Sequence, residues 1–290
     1  MGLSDDVRRH CAEVAANARS VRIDATALGA VEPSQPPELD PQVHYLEGAP
    51  EDVARYLLAL DAINFGSGWF PLLDKRPGLS GYFTVAWNMS DDWRANGPWT
   101  VDDLRAMTTE RIAAALRQRP GLELMSLFAQ ALREFGRMLN GRDAVAFVEA
   151  ARGSAQELAA MLARGGAMFA DHGFYKRAQI AANDLALAGI AQFDDLDALT
   201  IFADNLVPHV LRCDGVLVYD DALAGHIDAG LDLPAGREER EIRACAVHAC
   251  ELLAQRTGVP PRVLDVWLWN RGQTPEYKTR PRHRTRTVYY

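Results

Sequence analysis

The sequence has little of what marks several common protein classes. Among its 290 residues are only four cysteines, at positions 11, 213, 245 and 250, with no Cys-x-x-Cys pair, so we expect neither a disulfide framework nor a zinc site. It has no run of eighteen apolar residues and no signal peptide, which predicts a cytoplasmic protein that does not span a membrane. It also lacks Gly-x-Gly-x-x-Gly and Walker motifs, so no nucleotide-binding fingerprint is present.

Positively charged residues are fewer than negatively charged ones. Lys and Arg number 31 against 39 Asp and Glu, which gives a formal net charge of −8. Proteins that grip a nucleic-acid backbone usually present a basic face, so we expect no stable nucleic-acid complex. With 48% hydrophobic and 24% charged residues, the chain can build a full core. No break in composition marks a boundary, and we expect a single domain over residues 1–290, in which residues 1–42 form a peripheral helix and a proline-rich linker.

Helical periodicity dominates what is present. Strand-like alternation is scarce, which predicts a mainly α protein with few or short strands. Apolar spacing and capping residues predict helices over about 4–20, 50–62, 100–117, 122–139, 143–151, 154–164, 174–189, 199–211, 237–255 and 260–272. Residues 280–290 end in Val-Tyr-Tyr, which is too hydrophobic for a free tail, so we expect them to be packed.

Asp204 is the main candidate for a functional acid in the sequence. As a helix, residues 199–211 would be apolar on almost every side and therefore buried, and Pro208 would kink that helix by removing the hydrogen bond to the Asp204 carbonyl. An unpaired carboxylate is costly to bury. Asp204 is then either a structural acid, paired with an arginine or capping a helix, or a catalytic carboxylate.

Three further features each leave alternatives open. Residues 64–71 place glycines beside aromatic side chains, which fits either a loop close to a flat ligand or a turn whose aromatics fill the core. Lys176 and Arg177 begin a helix, where they are either an exposed pair or the partners of an anion. Asp265 is an acid in an apolar helix, and it could hold an arginine, cap a turn or flank a site.

Several motifs together resemble one known family. They are Asn64-Phe65, Ser80-Gly-Tyr82, Phe174-Tyr-Lys-Arg-Ala-Gln179, Phe202-Ala-Asp204 with Pro208, Glu241-Ile-Arg243, Asp265 with Leu268-Trp269, His283-Arg284 and Tyr289-Tyr290. In order and spacing this combination resembles the queuosine salvage proteins, the queuosine 5′-phosphate N-glycosylase/hydrolase family, from about residue 44 to residue 290. Residues 66–68 and 205–209 depart from the patterns common in that family.

The resemblance implies both a fold and a reaction. The fold would be a mainly helical domain similar to the helical DNA glycosylases. The reaction would be hydrolysis of queuosine 5′-monophosphate to queuine and ribose 5-phosphate, for queuine salvage into tRNA modification, by a monomer that needs no cofactor and no metal. The alternatives from other classes are a non-catalytic binding protein for queuosine nucleotides or modified tRNA, and a helical scaffold.

The resemblance also implies roles for particular residues. Asp204 would be the catalytic carboxylate, acting on the positive charge that builds on the ribose, and Asp265 or a neighbouring donor would protonate the leaving base. Three aromatic side chains would stack on the base, Phe65, Trp69 and Trp269. Four cationic side chains would hold the 5′-phosphate, Lys176, Arg177, Arg243 and His283. The complete expected substrate-binding set adds His44, Asn64, Tyr82 and Asp184.

Overall fold

A computed structural model describes residues 2–28 and 37–290 of the protein. The part of the predicted linker at residues 29–36 lies outside the described residues. The described residues are mainly helical, with one small two-stranded sheet, which confirms the mainly α prediction. The likeness to DNA glycosylases and the single-domain assignment stay predictions. Among the helices of the described ranges, none is long and apolar enough to cross a membrane.

The described residues contain fifteen α-helices, two strands and three short 3-10 helices, which are Phe70–Leu72, Ala167–Phe169 and Leu196–Ala198. The helices are α1 (Leu3–Ala16), α2 (Ala25–Leu28), α3 (Pro50–Ala62), α4 (Gly81–Asn96), α5 (Val101–Arg105), α6 (Thr109–Ala115), α7 (Glu123–Met138), α8 (Ala144–Glu149), α9 (Ala155–Gly165), α10 (Lys176–Leu187), α11 (Leu206–Cys213), α12 (Asp221–Asp228), α13 (Arg237–Thr257), α14 (Pro261–Gly272) and α15 (Pro275–Lys278). Strand β1 (Val21–Ile23) pairs antiparallel with β2 (Leu217–Tyr219), with Arg22 opposite Val218.

Residues 100–117 form two short helices rather than the one predicted. Thr100 caps α5 by accepting a hydrogen bond from the Asp103 amide (3.1 Å). Thr108 then caps α6 in the same way, accepting from the Arg111 amide (3.2 Å). The chain turns between the caps because each threonine side chain offers backbone amides a partner that competes with continuing the helix.

Residues 199–205 are not helical, which corrects the predicted helix over 199–211. This segment runs between two clusters of buried apolar side chains, one around α3, α7 and α10 and one around α11, α13 and α14. Leu199 and Phe202 belong to the first cluster, and Ile201 and Ala203 belong to the second. The segment is apolar on all sides because it is covered from both sides, and a buried non-helical stretch has the same composition as a buried helix.

Helix α11 begins only at Leu206, after Asp204. The Oδ1 atom of Asp204 accepts hydrogen bonds from the amides of Leu206 (2.7 Å) and Val207 (3.1 Å), so Asp204 caps this helix. Pro208 lies in the first turn, where an N–H would have no partner within the helix, and the expected kink at Pro208 is therefore wrong. The Asp204 side chain is half-buried rather than buried.

The last residues pack against the loop after α3, which confirms the expectation that they are packed. Tyr290 is buried, and its carbonyl accepts a hydrogen bond from the Gly66 amide (2.9 Å). A side chain at Gly68 would put its Cβ 2.5 Å from the Thr285 carbonyl oxygen, so only glycine permits this close approach. The loop after α3 and the C-terminal segment (residues 280–290) are therefore packed closely together.

Candidate active site

A cavity of about 330 Å³ lies where elements of the two apolar clusters meet. Its walls come from residues 64–70, the start of α4, helices α10 and α14, residues 202–206 and the C-terminal segment. Nine of the thirteen side chains expected at the site line it: His44, Asn64, Phe65, Tyr82, Lys176, Asp184, Asp204, Asp265 and Trp269. The chain thus brings together residues that are more than 200 positions apart.

The other four expected residues, Trp69, Arg177, Arg243 and His283, are placed outside the cavity lining. The Trp69 indole is buried and donates to Glu123 (2.8 Å). The Arg177 guanidinium donates to the carbonyls of Ala62 and Val288 and lies over the Phe65 ring, 4.7 Å from its centroid. Arg177 thus supports the cavity wall from the protein interior. Its burial excludes the alternative that Lys176 and Arg177 form an exposed pair.

Arg243 and His283 also lie behind the wall. The Arg243 guanidinium is held between Asp171 and Glu239, with 3.2 Å from its Nη1 to an oxygen of each, and its Nε donates to the Ala203 carbonyl (2.9 Å). The His283 ring packs against Tyr290. Arg243 has its charged partners within the protein, and burial lowers the pKa of His283 to about 3, so its ring is neutral. An amino-acid sequence reveals neither fact.

Asp265 is a buried acid whose environment favours its neutral form. Its Oδ1 accepts a hydrogen bond from the Phe202 amide (2.8 Å). Burial, and then the nearby charge of Asp204, raise the pKa of Asp265 to about 8. At neutral pH its carboxyl group therefore carries a proton, as a general acid requires.

Asp204 is held by backbone amides at the start of a helix. Two backbone amides at the start of α11 hold its Oδ1, and among the described residues none donates to its Oδ2. The positive end of the α11 dipole favours negative charge at this position. One oxygen is thus fixed by the helix, and the other is left for the cavity.

Lys176 is anchored at the floor of the cavity by Asn64. Its Nζ donates to the backbone carbonyl of Asn64 (3.0 Å) and to the side-chain oxygen of the same residue (2.9 Å). Burial lowers the pKa of Lys176, while the charges of Asp204 and then Asp61 act in the opposite direction. An ammonium group has three donors, so one remains for a ligand.

Two more acids lie near this lysine. Asp61 is buried, its Oδ1 accepts from the Asn64 side-chain amide (3.3 Å), and burial followed by the charge of Asp184 raises its pKa. Asp184 accepts from the Asn183 side chain (3.2 Å), and burial raises its pKa as well. The side chain of Asn64 is therefore oriented by Lys176 and Asp61. Its oxygen accepts from the Lys176 Nζ, and its nitrogen donates to Asp61.

Aromatic rings form one side of the cavity. Trp269 packs edge-on against Tyr82 (5.6 Å between centroids) and Phe83 (5.4 Å). His44 places Nδ1 3.0 Å from the Asp40 carbonyl and Nε2 3.0 Å from the Tyr82 hydroxyl. Burial lowers the pKa of His44. A carbonyl only accepts, so Nδ1 carries the proton and Nε2 accepts from Tyr82.

Sequence reasoning missed several residues that line the cavity. They include Phe83, Asn183, Phe202, Asn205 and Arg282. Asn205 and Arg282 lie in irregular segments, where no periodicity indicates which side chains face inward.

In the described part of the chain, no group of three or more His, Cys, Asp or Glu side chains is arranged to hold a metal ion.

The sequence model of the family described as "Queuosine salvage protein" matches residues 43–290. The chain belongs to this family. A relative from Sphaerobacter thermophilus is 33% identical over 280 residues, which cover 88% of this chain and 86% of the relative. A mouse relative is 27% identical over 87% of this chain and 85% of its own, and one from Dictyostelium discoideum is 40% identical over 40% of each chain. All three are named queuosine 5′-phosphate N-glycosylase/hydrolase.

Proposed function

We propose that this cavity hydrolyses the N-glycosidic bond of queuosine 5′-phosphate and releases queuine and ribose 5-phosphate. The observation that carries the proposal is a pair of carboxyl groups, Asp204 and Asp265, in different environments within one cavity. Within the described ranges no protein group donates to the second oxygen of Asp204, and Asp265 holds a proton. The names of the family relatives supply the substrate.

Asp204 acts on the sugar in this proposal. As the bond from C1′ to the base breaks, positive charge builds on the ribose, and a carboxylate beside C1′ stabilises that charge, attacks the carbon or activates the water. The two amides that hold Oδ1 fix the side chain before the substrate arrives, so no reorganisation is needed during the reaction. Water adds its oxygen to C1′, and its hydrogen replaces the proton that leaves with the base.

Asp265 supplies that proton to the departing base. Its raised pKa keeps the group protonated at neutral pH, and the Phe202 amide holds its other oxygen. Lys176 keeps one donor for the substrate after its two bonds to Asn64. The rings of Tyr82, Phe83 and Trp269 offer the planar base an apolar wall.

Asp204→Asn is the first test. Asparagine keeps an oxygen for the Leu206 and Val207 amides and is itself a good helix cap, so the fold and ligand binding are expected to survive. The kcat for queuine release, measured by mass spectrometry, is expected to fall by at least about 100-fold, as for other losses of electrostatic stabilisation.

The matched control is Asp221→Asn, an exposed aspartate at the start of α12, which should leave turnover unchanged. Full activity of Asp204→Asn would return Asp204 to a purely structural capping role. Tight binding of the nucleotide by the wild type without release of queuine would favour the non-catalytic binding protein. A cytoplasmic location, a monomeric state and the lack of a stable nucleic-acid complex stay predictions.

A further inference from the structure

Asp61 is a buried acid, outside the cavity lining, that the proposed reaction does not use. It lies near the C-terminal end of α3, and only 1% of it is exposed. Within residues 2–28 and 37–290 no donor reaches its Oδ2, so the Asn64 side-chain amide, 3.3 Å from Oδ1, is the only hydrogen-bond partner of this side chain. A buried carboxyl group with so few partners is costly, and its presence points to a functional reason.

This single contact decides which way the side-chain amide of Asn64 faces. Because its nitrogen donates to Asp61, its oxygen faces Lys176, whose Nζ donates to that oxygen (2.9 Å) and to the Asn64 backbone carbonyl (3.0 Å). An amide turned by half a rotation would set its NH2 group against the ammonium group, and neither of these groups can accept a hydrogen bond. Asp61 therefore fixes Lys176 through Asn64.

Lys176 and Asp204 both line the cavity, yet among the described residues no carboxylate forms an ion pair with Lys176. Burial lowers the pKa of Lys176, and of the charges that raise it Asp204 acts most strongly. Lysine carries its charge on a flexible four-carbon stem, so an untethered Lys176 would turn toward the free oxygen of Asp204. An ion pair there would neutralise the carboxylate on which the reaction depends, and such a pair is strong where water is scarce.

We propose that Asp61 is a positioning residue that keeps Lys176 on Asn64 and off Asp204, so that the Asp204 carboxylate stays available to the sugar. This inference rests on the proposed function of the same cavity. Asp61 acts here as a hydrogen-bond acceptor rather than as a charge. Burial, and then the charge of Asp184, raise the pKa of Asp61 and favour its neutral form. The oxygen of an asparagine side chain can fill the same role.

The first test compares kcat for queuine release from queuosine 5′-monophosphate in two variants of Asp61. Asp61→Ala leaves the Asn64 amide without its acceptor, and kcat should fall about 10- to 100-fold, as for a small misplacement of a catalytic group. Asp61→Asn keeps an acceptor oxygen, and kcat should stay near the wild-type value. Tyr56→Phe is the matched control, because it removes another buried hydrogen bond of α3, to the Ala86 carbonyl (3.3 Å), and should leave kcat unchanged. Wild-type kcat in Asp61→Ala, or equal losses in Asp61→Ala and Asp61→Asn, would overturn the proposal.

A double-mutant cycle separates positioning from a general effect on the fold. In a Lys176→Met background no ammonium group is left to misdirect, so Asp61→Ala should lower kcat no further. A further loss as large as in the wild-type background would show that Asp61 does not act through Lys176, and would overturn the proposal.

A crystal structure of Asp61→Ala gives a readout that does not depend on turnover. It should place the Lys176 Nζ within about 4 Å of an Asp204 carboxylate oxygen, the distance of an ion pair. Lys176 still bound to the Asn64 side chain would overturn the positioning role while leaving the proposed function intact. Failure of the wild type to release queuine would overturn the proposed function, and this inference with it.

Discussion

Replacing Asp265 by asparagine is expected to stabilise the folded protein at neutral pH, although Asp265 lines the candidate active site. Burial, and then the charge of Asp204, raise the pKa of Asp265 from its ordinary value of 3.8 to about 8. Between these two values the folded protein holds a proton that the unfolded chain releases. The free energy of unfolding therefore falls as the pH rises through this window. Asparagine has nearly the same shape, offers the Phe202 amide an oxygen and does not titrate.

The magnitude follows from the size of that window. One pKa unit corresponds to about 1.4 kcal/mol, so the wild type should lose about that much per pH unit relative to Asp265→Asn. From pH 3.8 to pH 7 the loss accumulates to about 4 kcal/mol. The amide group of the variant adds a cost of about 1–3 kcal/mol if its N–H groups lack partners, but this cost does not vary with pH. The slope is therefore the quantity to measure.

Urea unfolding at pH 5, 6 and 7 gives the free energy of unfolding of both proteins. The difference between variant and wild type should grow by about 1.4 kcal/mol for each pH unit. Asp221→Asn, an exposed counterpart, should show no such growth. A difference that stays constant from pH 5 to pH 7 would refute the conclusion that folded Asp265 holds a proton.

Two further predictions concern the pH dependence of turnover and the support behind Asp204. Because Asp265 can donate only while it is protonated, kcat for queuine release should fall as the pH rises through about 8, and a profile that stays flat well above that pH would exclude Asp265 as the acid. Arg243→Ala would leave Asp171 and Glu239 buried without a counter-charge, and urea unfolding should show a loss of about 3–5 kcal/mol. Arg237→Ala, an exposed arginine on the same helix, should cost less than about 1 kcal/mol, and equal losses in the two variants would contradict the argument.

Much of the helical framework could be predicted from periodicity and capping residues. Helix α3 has the predicted bounds, and α14 begins one residue inside its predicted range and ends at Gly272 as expected. The reason for choosing Asp204 as a candidate, a carboxylate buried within a helix, is wrong, because residues 199–205 are not helical and the Asp204 side chain is only half-buried. Apolar side chains on every side of a segment indicate burial, but they do not distinguish a helix from a stretch between two clusters.

Charged residues were harder to place than apolar ones. Arg177 and Arg243 were expected to hold phosphate, yet backbone carbonyls and acids from distant parts of the chain occupy them. Arg282 was not singled out, because its irregular segment has no repeat from which an orientation can be inferred. The identity of a charged residue gives its chemistry, whereas its role depends on the partners that only the fold supplies.

The shape of the cavity depends on the contacts that hold the C-terminal segment against the rest of the protein. The Gly66 amide bonds to the Tyr290 carbonyl, Arg177 to the Val288 carbonyl and Asn205 to the His283 carbonyl. These three contacts join the segment to three separate regions of the chain, so local opening of the segment would remove one wall and part of the polar lining at once. A bound nucleotide opposes such opening, because binding to the closed form shifts the equilibrium by mass action. The ligand would then help to hold the beginning and the end of the family-matched region together.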